Sequence, residues 1–424
     1  MGRHSKQQNE PKPKRKKSRR WIGVLVAIIV VLGGGAYGYQ RYLSNLNNVF
    51  SSTVKAAGTN ALFQHRITIL LMGSSLETSS SNQVLTGKKV RNRSDTLILV
   101  SIDPKTKQVG VLSIPRDTRV NVPGVGMTKI AEATFFGGAP ETVRVVENTF
   151  HVPIDYYAYI SMFQFAKLIN DMGGLTVDVP HNEVYDVSSG KLGINLHAGV
   201  QHLTGLQVLQ FVRFRNTSEG DIGRIQQQQV ILRDMAHQLL QPSMIPRIPA
   251  LAHDLMSSLS ATNMNVNQFI ALGLFARHLN LSSVRYGTIP GHSSTHMDPY
   301  MHVRLSYWTY DPRLSSILVQ DVLLADPLTA QQKKSLRVEI LSGVQTLAPA
   351  QHLAQKLQAE GYTVTGVGWA NQHNYTQSVI TNTSGDRFLS QRFQQMLGSS
   401  VVNFVPYHTA PWDIEITVGS DYAG

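Results

Sequence analysis

Apolar residues along this chain fall into short runs, separated by polar, glycine-rich and proline-rich punctuation. Ile67–Met72, Thr96–Ile102 and Gln108–Ile114 are runs of strand length, nearly continuous in apolar character, as expected of strands buried on both faces. The turn Asp103-Pro104-Lys105-Thr106 joins the second to the third and predicts a hairpin inside a larger sheet. The pattern then shifts to helical spacing. Helices are predicted over Pro140–Phe150, Ser161–Met172, Leu203–Val212 and Ile222–Leu240, with strands at Ile154–Ile160 and Leu175–Val179. Proline-punctuated helices are expected from Gln241 to about Asp326, then a polar linker at Gln331–Ser335. A last unit reads strand from Leu336, helix Ala348–Glu360, strand Tyr362–Val367 and strand Asp413–Val418. This alternation predicts an α/β fold with a mixed sheet, followed by a small α+β domain.

One apolar run is of a different kind. Trp21–Tyr39 holds nineteen residues without a charge, long enough to cross a bilayer as a helix. Trp21 and Tyr37, Tyr39 and Tyr42 would sit at the two interfaces. The net charge of +12 changes meaning here, because residues 1–20 carry +8 of it. A basic tail before an apolar span predicts a cytoplasmic N-terminus and a single-pass membrane protein whose bulk lies outside the cell membrane. A nucleic-acid partner would want that charge on the folded part, so none is expected. The run is longer than the core of a cleaved signal peptide and no convincing cleavage site follows. The chain has no cysteine, which excludes disulfides and thiolate zinc sites.

Charge clusters most sharply in Phe211–Gln229. Arg213 and Arg215 are two apart, and Asp221, Arg224 and Gln228 share one face of a helix. Guanidinium forks at this density, with few acids nearby, suit phosphate oxygens. Asp95 at the start of a strand is a candidate Mg²⁺ ligand, or a turn carboxylate. Arg116 and Asp117 stand at the end of another strand, where ligands of α/β folds bind, and Lys129 is a further candidate phosphate contact. His292, His296 and His302 with Asp298 have spacings that suit either a metal site or an exposed loop. No Walker loop, G-x-S-x-G or H-E-x-x-H is present, so P-loop, serine hydrolase and zincin readings lack support.

Taken in order, Arg93-Ser94-Asp95-Thr96, Ser113-Ile114-Pro115-Arg116-Asp117-Thr118, Lys129-Ile130, Gly137-Gly138, Leu203-Thr204-Gly205 and Arg213-x-Arg215…Asp221-x-x-Arg224…Gln228-Gln229 resemble the LytR-CpsA-Psr family of cell-wall glycopolymer ligases. Val338–Leu341 and Ile416–Tyr422 resemble the LytR C-terminal domain. The resemblance implies a basic tail (1–20), a transmembrane helix (21–39), a stalk (40–65), a catalytic domain (66–328) and the C-terminal domain (335–422). The core would be an α/β/α sandwich with a mixed central sheet and an apolar groove for a polyprenyl tail. Its reaction would be phosphotransfer of a teichoic acid or capsule-type glycopolymer from a polyprenyl-pyrophosphate carrier to peptidoglycan. Arg116, Arg213, Arg215 and Arg224 would hold the pyrophosphate, Gln228 the head group, and Asp95 the Mg²⁺ (or Mn²⁺). Asp117 and Asp221 would orient the arginines. The catalytic set would be Asp95, Arg116 and Arg224. Two positions depart from the pattern: Ser75 stands where a second metal carboxylate is usual, and Gln227 where an arginine is usual. A polyprenyl-pyrophosphate phosphatase and a non-catalytic binder of lipid intermediates are the alternatives.

Overall fold

A computed structural model describes residues 63–74, 93–185, 194–214, 220–398, 400–407 and 409–422, with the side chains of 220–222 outside the description. The basic tail, the span Trp21–Tyr39, most of the stalk, Ser75 and Arg215 therefore lie outside the described residues. Among those described, no helix is long and apolar enough to cross a membrane.

Three apolar runs form the centre of a six-stranded mixed sheet. β1 (Ile67–Ser74), β2 (Thr96–Ile102) and β3 (Val109–Ile114) are antiparallel neighbours. β6 (Tyr156–Ser161) lies parallel to β1, after the hairpin of β4 (Arg119–Val122) and β5 (Gly126–Lys129) and the long helix α1 (Ile130–Phe150). Gly138 (φ 73°) kinks α1 two residues before Pro140, so its second half begins where the sequence pattern starts it. The sheet's two faces differ. Leu70, Met72, Leu97, Leu99, Leu112 and Ile114 pack against α1 on one face. Alternate residues Ile69, Leu71, Val100, Val109 and Val111 point the other way, toward further helices.

Those helices are α2 (Met162–Asp171), α4 (Gly220–Leu239), α5 (Ile248–Ser258) and α6 (Val266–Ala276). α3 (Gly205–Arg213) follows the short strands β7 (Leu175–Val179), β8 (Glu183–Tyr185), β9 (Ile194–Leu196) and β10 (Gly199–Leu203). Capping boxes start α2 at Ser161, α3 at Thr204 and α6 at Asn265. Between sheet and helices lies an apolar cavity of about 360 Å³, lined along α4 by Leu232, Ala236 and Leu239.

The stretch after Gln241 is not all helical, as the proline spacing had suggested. β11 (Leu259–Thr262) and β12 (Arg285–Thr288) complete the two edges of the central sheet. β13 (Gly291–Met297) and β14 (Arg304–Tyr310) form a hairpin where an exposed loop was the plainer reading. Four-residue strands carry too little pattern to separate them from helix; pairing to β6 and β3 decides their conformation.

α7 (Pro312–Leu318) continues as a π-helical turn (Val319–Leu323), and it serves two cores. Leu314 and Ile317 belong to the C-terminal core, Leu318, Val322 and Leu323 to the first. The expected linker is the short helix α8 (Ala330–Ser335). The C-terminal unit has five strands in the order β16 (Thr363–Trp369), β15 (Arg337–Ser342), β19 (Ile414–Val418), β17 (Ser378–Asn382) and β18 (Ser400–Phe404). Residues of α9 (Ala348–Ala359) and α10 (Arg387–Leu397) join its core. Polar contacts also tie the units together. Arg285 of β12 stacks on Phe388 at 4.1 Å, and both Arg285 and Arg392 reach the buried Asp321.

Candidate active site

The centre of the site is a short turn after β3. The Thr118 amide and hydroxyl both donate to the Pro115 carbonyl, at 3.0 and 2.6 Å. The carbonyls of Arg116 and Thr118 accept from the first amides of α1, Ala131 and Ile130. Backbone on both sides of Arg116 is thus fixed. Its guanidinium meets the Asp95 carboxylate at 2.5 Å. Asp95 is held in turn by its amide, which donates to the Gly73 carbonyl across the β1–β2 pair. Asp117 accepts from Lys129 at 2.8 Å and lies 3.8 Å from Arg116. Sequence positions 95, 116, 117 and 129 therefore meet at one end of the sheet. Burial, with the charge of Asp95 adding to it, raises the nearby Tyr159 phenol above its ordinary value.

Helix α4 approaches the same end. Gln229 is buried and donates to the Ser113 hydroxyl (3.0 Å) and the Gly287 carbonyl (3.3 Å). Ile225 packs on Trp308, whose amide donates to the Asp117 carbonyl at 2.9 Å. The start of α4, which carries Arg224, therefore approaches the Arg116–Asp117 turn through Ile225 and Trp308, and Gln228 lies one helical turn further on. Arg213 is exposed at the C-terminal end of α3. The side chain of Asp221 is outside the described residues.

The metal expectation meets a competing use of its ligands. Asp95 is engaged by Arg116 and Asp117 by Lys129, and among the described residues no three His, Cys, Asp or Glu are placed to hold an ion. The described residues alone do not build a metal site. Asp298, grouped with the histidines in the sequence, is instead a buried carboxylate that fixes a turn. It accepts from Thr128, Tyr307 and the amides of Tyr300 and Met301, which hold it below the usual carboxylate range despite burial.

One site-adjacent residue escaped the sequence reading. Glu183 is wholly buried and accepts from Gln227 at 2.9 Å. Burial pushes its carboxyl from 4.5 to about 7, with the Gln227 bond opposing. Among the described residues, the other carboxyl oxygen and the Gln227 carbonyl have no partner. Protonation lets Glu183 donate to that carbonyl and closes a reciprocal acid–amide pair. A raised acid pKa costs stability as pH rises from 4.5 to about 7, because the unfolded chain gives up its proton first. Over that window the stability of the native chain should fall relative to Glu183→Gln. Gln227→Arg should remove the difference by pairing the carboxylate. Parallel pH–denaturation series of the three proteins would check this, and superimposable curves would sink it.

The profile described as LytR_cpsA_psr family matches residues 41–313, and the one described as LytR cell envelope-related transcriptional attenuator matches residues 335–422. Polyisoprenyl-teichoic acid–peptidoglycan teichoic acid transferase TagV of Bacillus subtilis is 33% identical over 259 residues, 58% of this chain and 64% of that protein, so the match spans less than two thirds of TagV. TagU of Oceanobacillus iheyensis is 34% identical over 241 residues, covering 54% of this chain and 72% of that one. The crystal structure of B. subtilis TagV aligns at TM-score 0.51 with 31% identity, over 62% of this chain and 99% of its own. The gbs0355 protein of Streptococcus agalactiae, 22% identical, shares the fold at TM-score 0.53, over 62% of this chain and 90% of its own. With its profile matched across residues 41–313 of 424, the chain belongs to the LytR_cpsA_psr family.

Proposed function

We propose that this chain is a membrane-anchored phosphotransferase that moves a teichoic acid-type glycopolymer from a polyprenyl-pyrophosphate carrier to peptidoglycan. The observation that carries the reading lies along helix α4. Its sheet-facing stripe runs Ile225, Gln229, Leu232, Ala236, Leu239. The far end lines the apolar cavity, and the near end reaches the Arg116–Asp117 turn through Ile225 on Trp308 and Gln229 on Ser113. Arg224 and Leu232 are eight residues, about 12 Å, apart along the helix. A ligand with an anionic head and a long apolar tail fits that succession. A soluble nucleotide sugar would leave the cavity without a use.

In the proposed reaction a peptidoglycan hydroxyl attacks the phosphorus nearest the glycopolymer. The new P–O bond forms as the bond to the bridging oxygen breaks, polyprenyl phosphate departs with that electron pair, and the hydroxyl proton passes to solvent. Such transfer needs charge neutralisation and in-line placement, which a guanidinium cluster supplies. A divalent cation enters the proposal only as an ion brought in by the substrate's phosphates, since Asp95 is already engaged by Arg116. The uncharged span Trp21–Tyr39 would keep the enzyme at the bilayer that holds its donor.

The assay supplies lipid-linked donor to the purified full chain with and without peptidoglycan. Polyprenyl phosphate release that depends on the acceptor is the expected result. Equal release in both arms makes the chain a phosphatase, and binding without release makes it a carrier protein.

A further inference from the structure

Fourteen large apolar side chains are exposed among the described residues, and five of them (Met127, Met297, Tyr300, Met301 and Val303) belong to two hairpin tips. The tips adjoin. The Pro299 ring lies against Gly126, and the Thr128 hydroxyl donates to Asp298 across the gap at 2.8 Å. Tyr300 packs edge-on to Phe136 at 4.9 Å between ring centroids. These residues are not exposed for want of structure. Asp298 accepts four hydrogen bonds, two from the amides of Tyr300 and Met301, and so holds the β13–β14 tip in a fixed turn with its apolar side chains outward. A patch of this kind, rimmed by polar groups, marks an interaction surface.

We infer that the joined tips of the β4–β5 and β13–β14 hairpins form a platform that rests in the headgroup layer of an anionic bilayer. The inference builds on the reading of the chain as a membrane enzyme. Charge favours this occupant. Between 119 and 129, and between 291 and 310, the lone acid is Asp298, which is buried. Arg119 and Arg304 supply positive charge, with His292, His296 and His302 beside them. Composition favours it too. Methionine and valine offer a saccharide no hydrogen bonds, whereas flexible methionines and an amphipathic tyrosine suit a fluid interface. The platform is also coupled to the site. Lys129 of β5 pairs with Asp117, and Trp308 of β14 donates to the Asp117 carbonyl. Trp308 is five residue steps along β14 from Val303, about 17 Å. Seating the tips in lipid would therefore fix the height of the Arg116 turn above the donor's bilayer.

The chain lacks cysteine, so single-cysteine labelling is clean. Met301→Cys and Met297→Cys, each carrying a bimane label, would be read in the full chain on phosphatidylglycerol–phosphatidylethanolamine vesicles with brominated acyl chains. Val401→Cys on the C-terminal sheet, 45% exposed in the native protein, serves as control. The expected result is a blue-shifted emission quenched by brominated lipid at 301 and 297, and neither effect at 401. Emission at 301 and 297 that matches 401 overturns the platform. So does a blue shift without quenching, which would mean a protein occupant. Vesicle flotation of the same samples separates the two readings. Flotation with unquenched tips removes the platform alone, and failure to float removes the membrane reading with it.

Discussion

Arg116→Ala should lower glycopolymer transfer by about a thousandfold. Two effects set that figure. A guanidinium aimed at a transferring phosphoryl group is worth three orders of magnitude or more, because it meets charge where the transition state gathers it. The backbone of Arg116 is also held on both sides, by the Pro115 carbonyl turn and by the first amides of α1, so its guanidinium is presented from a fixed position. The substitution also takes from Asp95, whose side chain is 12% exposed, its 2.5 Å contact with Arg116. Leaving that carboxylate without this partner should cost about 1–3 kcal/mol of stability. Loss of rate must therefore be separated from loss of fold. Arg116→Ala with Asp95→Ala should recover much of the stability and none of the activity. Arg116→Lys should keep the charge yet lose the fork, and fall between native and alanine proteins. A purified Arg116→Ala protein that transfers polymer within a few-fold of the native rate would contradict the site assignment.

The parts of this site that the sequence displayed are those whose chemistry and order coincide. Asp95, Arg116, Asp117 and Lys129 all stand at strand ends, and β1 to β3 are apolar enough to be found by pattern alone. Arg224 was visible because local acids were too few to pair the arginines around it. What stayed hidden depends on facing. In β8 the acid Glu183 is fully buried while Val184 is 62% exposed, the reverse of what alternation predicts for a polar and an apolar neighbour. Its signal was indirect: Gln227, which stands where an arginine was expected, is the residue that donates to it. Gln229 entered only as the last residue of the arginine–glutamine motif, yet it is the buried link between α4 and the central sheet. The strands β4 and β5 are only four residues long and β13 is rich in Ser and His, so period and propensity mark them weakly, whereas β14 does carry the strand-favouring Tyr307, Trp308, Thr309 and Tyr310. The junction of the two units was hidden for a related reason. A polar stretch at Gln331–Ser335 looks like a boundary, but the shared element is α7, which starts nineteen residues earlier.

Asp413→Ala should cost about 3–5 kcal/mol and release the C-terminal unit from the first. Asp413 is fully buried. It accepts from both terminal nitrogens of Arg313 at 2.8 Å, and from the guanidinium and the amide of Arg337 at 2.8 Å each. These donors outweigh burial and hold its carboxyl below the ordinary 3.8. Arg313 belongs to α7 and Arg337 to β15, so one carboxylate pins the shared helix to the first strand of the C-terminal sheet. The guanidinium side chains are 32% and 36% exposed, so water takes up part of their charge once Asp413 is gone, which keeps the cost at the lower half of that range. For a unit of this size the loss corresponds to a Tm drop of more than about 10 °C. Native protein should unfold the two units together, because Leu314, Ile317 and Leu318 of one helix serve both cores. The variant should show the C-terminal unit melting first. The pH dependence has a fixed sign. A depressed carboxylate stabilises above its unfolded value of 3.8, and that contribution disappears as pH falls through the folded-state value below it. Native and variant midpoints should therefore differ most near neutrality and converge in acid. Calorimetry at pH 7 that finds one unshifted transition in Asp413→Ala would show that the shared helix alone, without this carboxylate, holds the two units together.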